Sequence, residues 1–183
     1  MLSTSVIEQA FSLLLIDSTC NAQGWEWSVS RRLVSVLAKR GVVFADEEVI
    51  AITEANELEN HLLSLETATC VVLLSRGDNQ GVWDWLQAKI DSPKIAVVCH
   101  WGEATPDLTD AVLKAVGGWA PIAVAPESAI EPREGALFLL KFLTEMYLHS
   151  NGRMTGRMVW FAWRKANELL KRRRMGAIFG LRT

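Results

Sequence analysis

Lys94-Ile95-Ala96-Val97-Val98-Cys99 is apolar from its second residue to its last, with none of the polar alternation of a strand that faces water on one side. A strand of this kind is covered on both faces, which requires a parallel or mostly parallel sheet held between helical layers. On either side similar runs recur, at Phe11 to Ile16, Thr69 to Leu74 and Pro121 to Ala125, with Val42 to Phe44 as a shorter strand and Gly176 to Leu181 as a closing one. Helical spacing fills the intervals. In Trp27 through Lys39, Val29, Leu33, Val36 and Leu37 return at three and four residues, and Gly41 supplies the stop. Ile52 to Leu65 reads as a helix with Thr53 as its cap and Leu58, Leu62, Leu63 and Leu65 facing inward. Val82 to Ile90 and Pro106 to Val116 come next, and then two longer helices, Pro132 to Leu148 and Met154 to Arg174, joined by His149 to Gly152. Only Val6 to Ala10 shows no assignable pattern. The expected architecture is a three-layer α/β/α sandwich with a mostly parallel central sheet.

The chain has 183 residues, 50% hydrophobic and 22% charged, a composition that excludes disorder and fits one α/β domain over residues 1–183. Five prolines and no low-complexity segment leave no linker in view. No apolar run approaches the roughly 18–20 residues of a membrane span, and the N-terminus lacks a secretory pattern. Three cysteines without metal-ligand spacing point to a reducing cytoplasm, with no metal and no membrane partner. Residues 151–183 hold nine Lys and Arg against one acid, leaving ten bases against twenty acids before them. A basic tail packed beside its own acidic body accounts for this asymmetry, and a nucleic-acid surface is the alternative.

Ligand and catalytic groups of such sheets gather at the carboxyl ends of the strands, which directs attention to Asp17–Thr19, Ser75–Asn79, Cys99–Glu103 and Pro126–Ile130. Neither a G-x-x-x-x-G-K-[ST] loop, a G-x-G-x-x-G turn nor a G-x-S-x-G elbow occurs, so no nucleotide or other cofactor is expected. Cys99 and His100 form the most suggestive pair, since a thiol at a strand end can face a cleft. Adjacent strand residues point to opposite faces, however, so His100 is poorly placed to activate its neighbour, and Cys99 also reads as a small buried hydrophobe. Cys70 belongs to a strand interior, and Cys20 to a polar loop. Ser75-Arg76-Gly77-Asp78-Asn79 joins a cation, a carboxylate and a glycine in a loop that fits turn chemistry or an anion site. Asp17, Ser75, Asp78 and Glu127 are the cleft candidates.

Eight tryptophans are spread over almost every element, and Trp160 and Trp163 share one side of the last helix with Met158, Val159, Ala166, Leu169 and Leu170, as core residues would. Lys171-Arg172-Arg173-Arg174 falls in its last turn, where cations complement the helix dipole.

From about Ile52 to Thr183 the chain resembles the CHAT domains, bacterial relatives of the caspase-like cysteine peptidases. Gly118 and Pro121–Ala125, then Ala136 to Leu143, Met146-Tyr147-Leu148, Gly152, the helix Thr155 to Leu170 and the strand Ala177-Ile178-Phe179-Gly180 carry the likeness. Thr69 to Asp78 resembles the strand before the family's catalytic histidine, and Lys94 to Cys99 the strand before its cysteine. Where the family has His-Gly this chain has Arg76-Gly77, and a guanidinium, protonated at any relevant pH, cannot act as the base. Cys99, or His100 or Trp101 just beyond, aligns with the cysteine. The resemblance therefore implies a caspase-like pseudoprotease that acts through protein–protein contacts, from a family at work in bacterial immunity and cell death. An active peptidase using Cys99 is the alternative it leaves. A weaker likeness to receiver domains places Asp17 as an acidic ligand, with Ser75 where the phosphoacceptor aspartate and Ala125 where the lysine would stand.

Overall fold

A computed structural model describes residues 10–18, 25–45, 49–75, 80–91, 94–100, 110, 114, 120, 122–128, 130–150 and 154–182. Six strands form one sheet: β1 Leu13–Ser18, β2 Ile50–Ala51, β3 Cys70–Ser75, β4 Ile95–His100, β5 Ile122–Pro126 and β6 Phe179–Arg182. Their order is β2-β1-β3-β4-β5-β6, with the first five parallel and β6 antiparallel to β5. The helices are α1 Trp25–Lys39, α2 Leu62–Thr67, α3 Gln80–Lys89, α4 Pro132–His149 and α5 Gly156–Arg172, with a 3-10 segment at Ala55–His61 before α2. The expected three-layer sandwich with a mostly parallel sheet is the observed architecture. The helix expected at Pro106 to Val116 lies almost wholly outside the described residues.

Strand alternation divides the apolar residues between two cores. Leu13, Leu15, Val72, Val97 and Val124 face one side, where α1, α4 and α5 cover them through Leu37, Phe138, Phe142, Val159 and Ala166. Leu14, Ile16, Val71, Leu73 and Val98 face the other, under Leu58, Leu65, Trp83 and Leu86. Burial on both faces is why these strands read as continuous apolar runs and not as alternating ones. Phe138 stacks on Phe142 and on Phe179, with ring centroids 5.6 and 3.7 Å apart, tying α4 to β6.

Three local expectations are corrected. The short edge strand is Ile50–Ala51, while Phe44, expected within it, makes one isolated bridge to Leu13. The segment expected as one helix from Ile52 opens instead as a 3-10 segment, and its tighter winding shifts the register of α2 behind it. Leu58 and Leu65 are buried, but Leu62 and Leu63 are exposed. On α5 the buried face is Val159, Ala162, Ala166 and Leu170, which turns Trp160 outward, where its ring lies 5.5 Å from the Arg164 guanidinium carbon. Trp163 is half-buried and donates its indole N–H to the Phe179 carbonyl at 2.5 Å.

Candidate functional site

Strand order turns back on itself between β1 and β3, and the carboxyl ends of two such strands bound the crevice in which open α/β sheets place their ligands. Register brings one row of residues to that edge: Ser18 of β1 lies beside Ser75 of β3, which lies beside His100 of β4. The row beneath it is Asp17, Leu74 and Cys99. Three of the regions singled out in the sequence are thus neighbours, although their loops (19–24, 76–79 and 101–109, holding Arg76, Asp78 and Trp101) lie outside the described residues. Cys20 lies outside them as well.

Asp17 is buried at 3% exposure on the α1 side of the sheet, and the Ser30 hydroxyl of α1 donates to its Oδ2 at 2.5 Å. Alternation along β1 dictates this placement, because Leu13 and Leu15 turn to the same layer. Ser18, also buried, donates its hydroxyl to the Leu74 carbonyl of the adjacent strand at 3.1 Å. Ser75 is fully buried at the end of β3. Asp17 and Ser18 thus make these hydrogen bonds within the protein.

Cys99 takes the second of its two readings, the small buried hydrophobe, and not that of a thiol presented at the strand end. It is 0% exposed, sits in the same core as Leu74, Val97 and Phe138, and burial pushes its thiol far above the usual range. Cys70 shares that core, with burial raising its thiol to about 12. Among hydrocarbon side chains the thiol is favoured over the thiolate, which is the form that attacks a carbonyl. The backbone of His100 ends β4, and its side chain lies outside the described residues. Glu127, just past β5, is exposed; its amide donates to the Ile178 carbonyl at 2.8 Å and its carboxylate lies over Gly180, where a Cβ would come within 2.9 Å of Oε1. It belongs to the joint between β5 and β6, away from the β1–β3 edge.

Sequence reasoning missed Lys94, the buried cation at the opposite end of β4. Its ammonium donates to the Ala68 carbonyl at 2.5 Å and the Glu66 carbonyl at 3.1 Å, closing the end of α2. Burial lowers its pKa, opposed by the charge of Glu66. Lysine directly before an apolar strand was the available signal. Among the described residues no three His, Cys, Asp or Glu side chains converge as a metal-holding group, and no helix is long and apolar enough to cross a membrane. No family model matches the chain, and no curated protein matches it.

Proposed function

We propose that this chain is a caspase-like scaffold of the CHAT type that has given up peptidase chemistry and works by holding a protein partner, in bacterial immunity or regulated proteolysis. The observation that carries the reading is the position of Cys99, whose sulfur is enclosed in the core. Two further points support it. The strands that resemble those before the family's histidine and cysteine, β3 and β4, are neighbours in register, so their loops leave the sheet side by side. The first of those loops carries Arg76 where a base would be needed. A closing strand with glycine at Gly180 pairs antiparallel with β5, in keeping with the same element order.

Iodoacetamide labelling of the native protein at neutral pH, with subsequent mass mapping of the Cys99 peptide, tests this reading. Cys99 is expected to remain unmodified until denaturant is added. Rapid native modification of Cys99 overturns the reading in favour of a cysteine peptidase.

A further inference from the structure

Between α1 and α4 lies a groove of about 510 Å³. Its walls are apolar, formed by Leu33 and Val36 of α1 and by Ala136, Leu137 and Leu140 of α4, and Met175 closes one end. Arg32 of α1, Arg133 in the first turn of α4 and Arg173 at the end of α5 also line it, and all three are exposed. Among the described residues several other cations are paired, Arg164 and Lys165 with Glu168, Lys141 with Glu145, Lys89 with Glu59 and Arg182 with Asp110. Among the described residues no carboxylate pairs with Arg32, Arg133 or Arg173. Three like charges from three elements around one groove repel one another until a counter-charge arrives.

The turn that brings the third arginine there is strained. After α5 the Met175 amide bonds to the Leu170 carbonyl and the Arg174 amide to the Lys171 carbonyl, a Schellman closure that requires a left-handed residue. Arg174 takes that role at φ 57°, whereas the same closure after α1 uses Gly41 at φ 83°. A left-handed arginine costs roughly 1 kcal/mol, and the turn it maintains sets Arg173 and Met175 together in the groove.

We infer that the groove is the docking site for an acidic amphipathic helix of a partner protein. Arg133 to Leu140 spans about 10 Å along α4, two turns that match apolar anchors at i, i+3, i+4 and i+7 of a bound helix. Such a helix buries its apolar stripe against the walls while carboxylates on its flanks meet the guanidiniums. A nucleic-acid strand fits less well, because no aromatic side chain lines the groove for base stacking and phosphates leave the walls uncovered. A fatty carboxylate brings one charge to three cations. The inference rests on the binding role proposed above, but its test does not involve Cys99.

Fluorescence anisotropy with the intact chain provides that test, the probe being a labelled helical peptide with leucines at i, i+3, i+4 and i+7 and glutamates elsewhere. Saturable binding is expected, weakened about tenfold or more by R32E/R133E/R173E and restored to that variant when lysines replace the glutamates. Should the triple variant not fold, R133Q and R173Q singly are each expected to weaken binding about threefold. No binding, binding indifferent to these substitutions, or full displacement by dodecanoate or a single-stranded oligonucleotide overturns the inference. Rapid native labelling of Cys99 with peptide binding intact overturns the non-catalytic reading alone, and the converse result overturns the groove alone.

Discussion

Lys94 shows how one residue fixes a junction that the hydrophobic pattern leaves open. Its ammonium donates to two carbonyls where α2 runs into β3, that of buried Ala68 and the partly buried one of Glu66. Methionine in its place keeps the packing and removes the donors, so Lys94→Met is expected to lower stability by about 2–3 kcal/mol in urea unfolding. Asp17 is locked in a comparable way by Ser30, and S30A is expected to cost about 1–3 kcal/mol in the same assay because a buried carboxylate loses a donor. Glu145 gives the protein an acid-sensitive pair. Partial burial raises its carboxyl, but hydrogen bonds and charge from Lys141 and His149 outweigh this and hold it below its ordinary value of 4.5. A lowered folded pKa means that the pair stabilises fully above that ordinary value and loses its contribution as pH falls through the folded one. E145Q is expected to lower stability by about 0.5–1 kcal/mol at pH 7 and by less near pH 3, which thermal melts across that range would show.

At the level of elements, the two Schellman closures provide an internal comparison. Gly41 accepts its left-handed backbone freely and also leaves room for Tyr147, whose hydroxyl would lie 3.1 Å from an added Cβ. Arg174 carries the same backbone at a cost, so R174G is expected to raise stability by about 1 kcal/mol while G41A lowers it by at least as much in denaturant unfolding. The difference was only half legible in the sequence: Gly41 announced its helix end, whereas an arginine in the left-handed position gives no signal of its own. Central strands were legible because burial on both faces leaves an unbroken apolar run. The two-residue edge strand at Ile50–Ala51 was not, since so short a pairing imposes no pattern. Nor were the outward turns of Leu62, Leu63 and Trp160, because a 3-10 start or a one-position rotation of a helix changes which residues face inward without changing composition.

For the molecule as a whole, sheet order decides which distant residues meet. Asp17, Ser75 and His100 were recognisable as strand ends, and parallel pairing makes the ends of β1, β3 and β4 neighbours. What the pattern left open is the depth of Cys99: a cysteine at the end of an apolar run reads both as a buried hydrophobe and as a thiol facing a cleft. The groove was out of reach for another reason, since Arg32, Arg133 and Arg173 are far apart in the chain and only the packing of α1 and α5 against α4 brings them together. Charge behaves accordingly. Of the basic tail, Arg182 meets an acid of the body, Asp110, at 3.5 Å, whereas Lys171, Arg172, Arg173 and Arg174 are exposed at the helix end and pair with no carboxylate among the described residues.

A binding scaffold keeps its sulfur inside a closed core, and that property is open to direct measurement. Thiol-labelling rates at Cys99 across a urea series, read by mass mapping, give the free energy of whatever opening exposes the sulfur. With the core closed, this energy and its denaturant slope are expected to equal those of global unfolding. Fast labelling in the absence of urea, with a rate that does not change as urea is added, would mean that the sulfur already faces solvent and would contradict a non-catalytic scaffold.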